Sequence, residues 1–297
     1  YVLAALRPEE FERCLLSWIT ALHDTTDGQI VAIDGKTLRR SFDRASGKAA
    51  IHMVSAWASA NHISLGQVVA GAKSNEITAI PALLEMLEIT GSLVTIDAMG
   101  CQVAIAQKIV DTKANYVLTV KGNQPTLHKG IKAFFQDHIE SDEAYGARCY
   151  YHSAEKSHGR ETTREYFTAS IPDDLPDRSR WPKLRSIGLV VNYTVRDGRE
   201  SLELRYYILS RKLTAKQFGK AVRAHWSIEN SLHWQLDVTF GEDQCRVRKG
   251  HADQNLSLLR RQALSLLKNE STAKVGIKNR RLRAGWDEEY LLKVLFG

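Results

Sequence analysis

The chain has 297 residues, of which 43% are hydrophobic and 25% charged, enough for one large or two modest domains with a substantial core. It contains no apolar stretch long enough to span a bilayer and no signal-peptide pattern, which argues against a membrane or secreted protein. Its four cysteines, Cys14, Cys101, Cys149 and Cys245, are scattered without a CxxC pair, which argues against a zinc knuckle or a disulfide framework and favours a reducing cytoplasm.

Residues 1–123 predict a mixed α/β fold. An amphipathic helix is expected over residues 1–24, and because the chain opens inside it with Tyr1 rather than Met, we expect a fragment. The elements that follow are predicted, in chain order, as strands at 29–38, 51–60 and 63–71, a helix at 76–89, a strand at 92–98, a helix at 101–113 and a strand at 115–123. Antiparallel strands followed by strands with helical crossovers are the ribonuclease H-like order, a mixed sheet with flanking helices.

The second half of the chain changes character. Apolar and polar side chains alternate over residues 146–170, 185–197 and 201–210, and the proline-bearing stretch Ile171–Pro182 interrupts this pattern. We interpret residues 145–211 as a β-rich insertion, and helical patterning resumes at Thr214 to about Leu236 and again over 252–269. The predicted organisation is a remnant N-terminal helix (1–28), the first part of the core (29–144), the β-rich insertion (145–211), and the second part of the core with a basic helical tail (212–297).

Two aspartates each close a β-branched hydrophobic run. Asp34 follows Ile30–Ile33, and Asp97 follows Leu93–Ile96. Such runs are typical of strands buried on both faces, where a carboxylate is costly to desolvate without a metal, a base or hydrogen bonds. A single strand-end Asp often only caps the next turn; two of them in one α/β domain predict a shared site for divalent metal ions.

Glu229 is the predicted third carboxylate. Its helical neighbours Val222, Trp226, Leu232 and Leu236 place it on an apolar stripe, where a glutamate must snorkel, pair or bind a metal. The alternative is an ion pair with His225 or His233 at i±4. The rival acids for the same role are Asp237, Glu242 and Asp243.

Carboxylates at Asp34, Asp97 and Glu229 suit two hard cations, Mg²⁺ or Mn²⁺. Two such ions about 4 Å apart activate a water or sugar hydroxyl and stabilise the leaving oxygen of a phosphodiester. The histidines that flank Glu229 do not make a zinc site without a third ligand.

The net charge of +7 lies entirely in the C-terminal tail. From Gln244 onwards there are 12 Lys and Arg against 5 Asp and Glu, whereas residues 1–243 are balanced. A basic tail on a neutral body is typical of a surface that contacts a phosphate backbone, with a solvated basic helix as the alternative.

The chain resembles the DDE transposases of bacterial insertion sequences, in the branch of H-repeat-associated proteins. The matching segments run in order over nearly all of residues 8–297: IDGKTLRRS, KSNEITAIPALLEML, TIDAMGCQ, VKGNQ, EKSHGRE, RYYILS and HWSIENSLHWQLDVTFGEDQCRVRKG. The resemblance implies that Asp34, Asp97 and Glu229 form the acidic triad, with a β-rich insertion before the glutamate helix. It also implies phosphodiester hydrolysis and strand transfer, double-stranded DNA (element ends and target) as partner, a possible homodimer on DNA, and a cytoplasmic, nucleoid-associated protein without membrane contact.

Several residues are expected to contact DNA. Lys121 and Asn123 follow the fifth predicted strand, and Arg160 lies in a Gly-Arg turn that presents a guanidinium to phosphate. In the tail, Arg280, Arg281 and Arg283 are the candidates for phosphate contacts. Related transposases carry Tyr, Arg and Lys at −7, −4 and +7 from the glutamate; here Val222, His225 and Leu236 replace them, and only His225 retains the capacity to contact phosphate.

Two other interpretations stay open. One is a ribonuclease H-like DNA nuclease that cleaves without strand transfer, and the other is an inactive DNA-binding remnant of an insertion-sequence transposase. The β-rich insertion and the basic tail favour transposition.

Overall fold

A computed structural model describes residues 2–22, 29–44, 47–71, 76–140, 149–157 and 159–297. The end of the predicted first helix, beyond Leu22, and the start of the predicted insertion, before Cys149, lie outside the described residues. The chain forms two compact units, one of Tyr1–Thr90 with Ala224–Gly297 and one of Gly91–Arg223. No helix in the described ranges is long and apolar enough to cross a membrane.

The first unit combines antiparallel strands with helices from both ends of the chain. Strand β1 pairs with β2, and β2 with β3, both antiparallel. Its elements are α1 (Val2–Ala5), α2 (Pro8–Leu22), β1 (Ile30–Thr37), β2 (His52–Ala58), β3 (Ile63–Ala70), α3 (Glu76–Met86), the end of α6 (Ala215–Ile228), a π-helical turn (Glu229–His233), α7 (Trp234–Val238), α8 (Ala252–Asn269), α9 (Ile277–Trp286) and α10 (Glu288–Phe296).

The second unit carries a mixed sheet in the strand order β4-β5-β9-β8-β7-β6. Strands β4 and β5 are parallel, as the crossover helix between them requires, and every later pair is antiparallel. The elements are β4 (Leu93–Ile96), α4 (Val103–Asp111), β5 (Asn115–Val120), α5 (Pro125–Glu140), β6 (Tyr150–Ser157), β7 (Arg160–Ser170), β8 (Ser186–Arg196), β9 (Arg199–Leu209) and most of α6.

The core of the first unit fixes the helix that carries Glu229. Ile228, Leu232 and Leu236 on that helix pack with Ala32 of β1, Trp57 of β2 and Leu264 of α8, all essentially inaccessible to solvent. Burial of several large apolar side chains at about 1.5–3 kcal/mol each is enough to hold the helix in one orientation.

Most predicted elements are present, with two differences. The predicted first helix is divided at Pro8, because proline lacks the amide hydrogen and disfavours helical geometry in the residue before it. Helix α5 was not predicted; it is a long helix with buried Leu127, Ile131 and Phe135. The limits of the compact units differ from those of the predicted segments, and the division into core and insertion stays a prediction.

Candidate functional site

Asp34 ends a hydrophobic run but not a strand. It lies inside β1 opposite Ser55, and the ladder continues through Gly35, Lys36 and Thr37. The Asp34 side chain is 29% exposed, so its carboxylate is partly desolvated yet open to a ligand. Because side chains alternate along a strand, Asp34 and Lys36 share one face of the sheet and Gly35 and Thr37 the other.

The helix of Glu229 contains a feature that no periodicity signalled. Residues Glu229–His233 form a π-helical turn between α6 and α7. Such π-helical turns are rare in proteins, but those that occur often lie at functional sites. The glutamate that the family resemblance assigns to catalysis is the first residue of this turn.

The expectation that Glu229 lies on an apolar stripe is wrong. Glu229 is exposed, and Trp226, a member of the predicted stripe, is 43% exposed. The buried face runs instead through Ile228, Leu232 and Leu236, to one side of Glu229. Within the described residues the Glu229 carboxylate makes no hydrogen bond or ion pair, so the alternative pairing with His225 or His233 is not seen either.

The contact that this helix makes with Asp34 comes from His233. Its Nδ1 lies 3.5 Å from Asp34 Oδ2, a long polar contact. Burial, together with the positive charges of Arg261 and Lys36, lowers the pKa of His233 to about 3. The imidazole therefore stays neutral at physiological pH and places a polar, uncharged group against the candidate catalytic carboxylate.

The three rival acids are all paired with cations. Lys36 Nζ lies 2.7 Å from Asp237 Oδ1, 3.0 Å from Asp243 Oδ1 and 3.5 Å from Glu242 Oε2. Burial alone would lower the pKa of Lys36, but these carboxylates raise it above its ordinary value, so the lysine stays charged. Charge compensation gives these acids a structural role in the described structure.

Arg261 completes this charge network from α8. It is fully buried, and its guanidinium lies 3.1 Å from Glu242 Oε1 and donates from Nε to Ser55 Oγ at 3.2 Å. Ser257 Oγ donates to the same Glu242 oxygen at 2.8 Å. We refer to Lys36, Asp237, Glu242, Asp243 and Arg261 as the Lys36 network.

The other face of β1 carries a second polar chain that the sequence did not predict. His52 Nδ1 lies 2.8 Å from Thr37 Oγ1, and its Nε2 lies 2.7 Å from Glu76 Oε1. Gly35 makes room for it, because a Cβ at this position would lie 2.1 Å from the Glu76 carboxylate oxygen. The glycine of the IDGK segment is thus explained by packing.

In the second unit, Asp97 immediately follows β4 and shapes the next turn. Its Oδ1 accepts hydrogen bonds from the backbone N–H groups of Met99, at 3.0 Å, and Gly100, at 3.3 Å. The second oxygen, Oδ2, has no hydrogen-bond partner among the described residues. Asp97 therefore caps the turn with one carboxylate oxygen and leaves the other available to a ligand. Burial, followed by the negative charge of Asp97, raises the pKa of the neighbouring Cys101 thiol, which stays protonated.

Lys121 and Asn123 belong to the same neighbourhood as Asp97. Asn123 Nδ2 donates to the carbonyl of Ala98 at 2.7 Å, and Gln124 Nε2 donates to that of Cys101 at 2.9 Å. The loop after β5 is thereby tied to the turn after β4. Lys121 and Asn123 are both exposed, as a DNA contact requires.

The remaining predicted DNA contacts have mixed surroundings. Arg160 is exposed at the start of β7, with Nε bonded to Thr162 Oγ1 at 3.1 Å. His225, by contrast, is buried beside Trp226, which leaves it poorly placed to reach a phosphate.

The three tail arginines are engaged within the protein. Arg280 donates to the backbone carbonyls of Leu267, Val275 and Glu270 and so caps the end of α8. Arg281 stacks over the ring of Phe240, with 5.4 Å between the guanidinium carbon and the ring centroid. Arg283 pairs with Asp287 at 2.9 Å. These contacts give each guanidinium a structural role, which the charge pattern alone did not reveal.

Across the described residues, no group of three or more His, Cys, Asp or Glu side chains is arranged as it would be around a metal ion. The oxygen donors that Mg²⁺ prefers are nevertheless present at Asp34, at Asp97 and at Glu229.

Comparison with known proteins places these features in context. The family described as "Transposase DDE domain" matches residues 25–267. "Putative transposase YncI" of Escherichia coli O157:H7 is 43% identical over 96% of this chain and 73% of its own length. "H repeat-associated putative transposase YhhI" of Escherichia coli K12 is 38% identical over 100% of this chain and 79% of its own length. A solved structure of the piggyBac transposase synaptic complex with hairpin DNA is similar at a TM-score of 0.45, with 11% identity over 92% of this chain and 55% of that chain.

Proposed function

This chain belongs to the family of transposases with a DDE domain, and we propose that it catalyses DNA transposition by phosphodiester hydrolysis and strand transfer. In the proposed reaction, water cleaves a phosphodiester at the end of a mobile element, and the freed 3′-hydroxyl attacks target DNA. Both steps are in-line displacements at phosphorus that form no covalent bond to the enzyme. Two transposase-named relatives at 38% and 43% identity support this class of activity.

We assign catalysis to Asp34, Asp97 and Glu229. The support comes from charge: each rival acid already has a cation partner in the Lys36 network, whereas Glu229 has no ion pair in the described structure. A carboxylate without a cation partner can hold a metal ion without first breaking an ion pair. The exposed position of Glu229 allows the same group to reach DNA.

These carboxylates would hold two Mg²⁺ or Mn²⁺ ions, since all their donor atoms are hard oxygens. Such ions, when bound, lower the pKa of water and stabilise a leaving oxygen. The protein's own groups orient the donors: the Met99 and Gly100 amides fix Asp97, and the neutral His233 lies against Asp34. The Lys36 network keeps its own acids from competing for the ions.

The wider proposal follows the family resemblance. We propose a ribonuclease H-like core in residues 29–144 and 212–297, with the β-rich segment 145–211 as an insertion. The partners would be element ends and target DNA, contacted in part by Lys121, Asn123 and Arg160, with a homodimer acting on DNA. The proposed location is the bacterial cytoplasm, in association with the nucleoid.

The test uses Asp97→Asn and Glu229→Gln, with Asp137→Asn on the exposed face of α5 as the matched control. We expect both site variants to lose strand cleavage on a duplex carrying the element ends by roughly 10³-fold, since several kcal/mol of transition-state stabilisation is at stake. DNA binding should persist, and the control should cleave normally. Cleavage without joined products would favour the nuclease interpretation, and wild-type cleavage by either site variant would overturn the triad.

A further inference from the structure

An open basic depression, which we call the basic cavity, lies beyond the end of β1, in the first unit. It has a volume of about 840 Å³ and is lined by Asp43, Lys48 and the segment Arg246–Gly250. One wall comes from the connection between β1 and β2, and the other from the segment that leads into α8. Its lining includes the start of the basic tail but none of the residues that were predicted individually to contact DNA.

The two walls are pinned together by direct bonds. Lys48 Nζ donates to the carbonyl of Arg248 at 3.0 Å and lies 2.5 Å from Asp253 Oδ2. Arg248 Nε donates to the carbonyl of Arg40 at 3.1 Å. The cavity is therefore held in shape before any ligand arrives, which lowers the entropic cost of binding.

The charges around the cavity are strongly one-sided. The described parts of 39–48 and 246–253 contain two acids, Asp43 and Asp253, and seven cations. The cations are Arg39, Arg40, Arg44, Lys48, Arg246, Arg248 and Lys249. Arg39 is directed to Asp243, and Lys48 to Asp253. Arg44 and Arg246 are exposed and make no ion pair with any described residue. Holding uncompensated like charges together is unfavourable unless an anion is bound.

An aromatic ring organises two of these arginines. The guanidinium carbons of Arg44 and Arg248 lie 5.7 Å and 5.2 Å from the centroid of the Phe42 ring. Arginines stacked on an aromatic ring lose little freedom on binding, and their planar donors match phosphate oxygens. A lysine on a mobile surface would lose more freedom on binding and has no planar set of donors.

We propose that the basic cavity binds backbone phosphates of duplex DNA close to the candidate catalytic carboxylates. Arg40 follows Asp34 by six residues, which spans at most about 20 Å at the strand rise of 3.3 Å per residue. At 3.4 Å per base pair, the bound phosphates would lie within about six base pairs of the reacting bond. This placement relative to the reacting bond rests on the proposed function, whereas phosphate binding itself does not.

The test measures binding of a fluorescent duplex of arbitrary sequence to the whole chain, without divalent metal, across a salt series. The variant Arg44→Gln with Arg246→Gln removes one charge from the lining of the cavity and one from the arginine stacked on Phe42 beside it. The control, Lys216→Gln with Lys220→Gln, removes two charges from the exposed face of α6. Each lost phosphate contact should reduce the slope of log affinity against log salt by about 0.9. We expect a slope smaller by about 1.8 for the cavity variant only, and hence, at equal affinity in 1 M salt, roughly 60-fold weaker binding at 0.1 M salt.

Two further measurements make the outcome decisive. The charge-retaining variant Arg44→Lys with Arg246→Lys should keep the wild-type slope, and melting curves should match for all proteins. Equal slopes in the cavity variant and the α6 control would overturn the proposal. So would displacement of DNA by inorganic phosphate that is no more concentrated than the DNA phosphates, at an unchanged ionic strength, since the cavity would then prefer a free phosphate compound. Because no metal or cleavage is involved, an inactive triad would leave these results unaffected.

Discussion

Asp97 is held by its nearest neighbours in the chain, whereas Asp34 is surrounded by side chains that come from far away in the sequence. The Asp97 carboxylate accepts from the amides two and three residues on. Asp34 contacts His233, and Lys36, two residues further on, pairs with Asp237, Glu242 and Asp243. The comparison teaches that similar motifs, a hydrophobic run followed by an aspartate, can be stabilised in opposite ways. Substitutions among the contacts around Asp34 and Lys36 should therefore lower the free energy of unfolding more than substitutions at Asp97.

The largest effect is expected from Arg261→Met. The variant leaves Glu242 buried without its guanidinium partner, which should lower the free energy of unfolding by about 3–5 kcal/mol. Urea unfolding measures the loss. Replacing both partners, as Arg261→Met with Glu242→Leu, should recover much of it, because no uncompensated charge remains near Ser257. A loss below about 1 kcal/mol in the single variant would show that the Lys36 network is not a stabilising centre.

A pH dependence of intermediate size is expected from Glu12, which lies near Arg261. Burial raises the pKa of Glu12 to about 7, although the amide of Gln67 and the charge of Arg261 act to lower it. The folded protein thus retains a proton that the unfolded chain releases near pH 4.5. The stabilisation is complete below pH 4.5 and is lost as the pH rises to 7, by about 3 kcal/mol at 1.36 kcal/mol per pH unit.

The control for this pH effect is Glu12→Gln, which keeps an oxygen acceptor for the Gln67 amide. Urea unfolding of both proteins should show that the free energy of unfolding declines between pH 5 and pH 7, and that this decline is smaller in the variant. An identical decline in wild type and variant would mean that other groups cause it.

The smallest effect is expected at Asp97. Asp97→Ala removes the acceptor of two backbone N–H groups and should cost about 1 kcal/mol of stability. Asp97→Asn retains an oxygen in the same position and should unfold nearly as the wild type does. A thermal melt without metal distinguishes them. If the Ala variant lost as much stability as Arg261→Met, the contrast between local and distant stabilisation would fail.

The sequence predicted the elements whose stabilisation is local. Strands β1 to β5 and helices α3 and α4 follow from hydrophobic runs and nearby residues. The π-helical turn was not predictable, because hydrophobic spacing assumes a regular helix and carries no mark of one altered turn. The pairing of Lys36 with Asp243 joins residues 207 positions apart, and periodicity has no access to such contacts.

The tail shows the same limit in another form. Its excess of positive charge is real, but charge counting cannot tell a guanidinium that faces solvent from one that caps a helix. Arg280 binds the carbonyls at the end of α8, and Arg283 pairs with Asp287. Arg246, which belongs to the same basic segment, lines the basic cavity instead. Only the three-dimensional contacts separate structural arginines from those available to a ligand.

The most direct test of the central claim is a Mn²⁺ titration of the whole chain by calorimetry, compared among single variants. The account predicts that Asp34→Asn, Asp97→Asn and Glu229→Gln each weaken Mn²⁺ binding by at least about tenfold, the loss typical even of an outer-shell partner. Asp243→Asn, which removes a partner of Lys36, should bind Mn²⁺ as the wild type does. Wild-type affinity in Glu229→Gln together with weakened binding in Asp243→Asn would contradict the account and move the metal site to the Lys36 network.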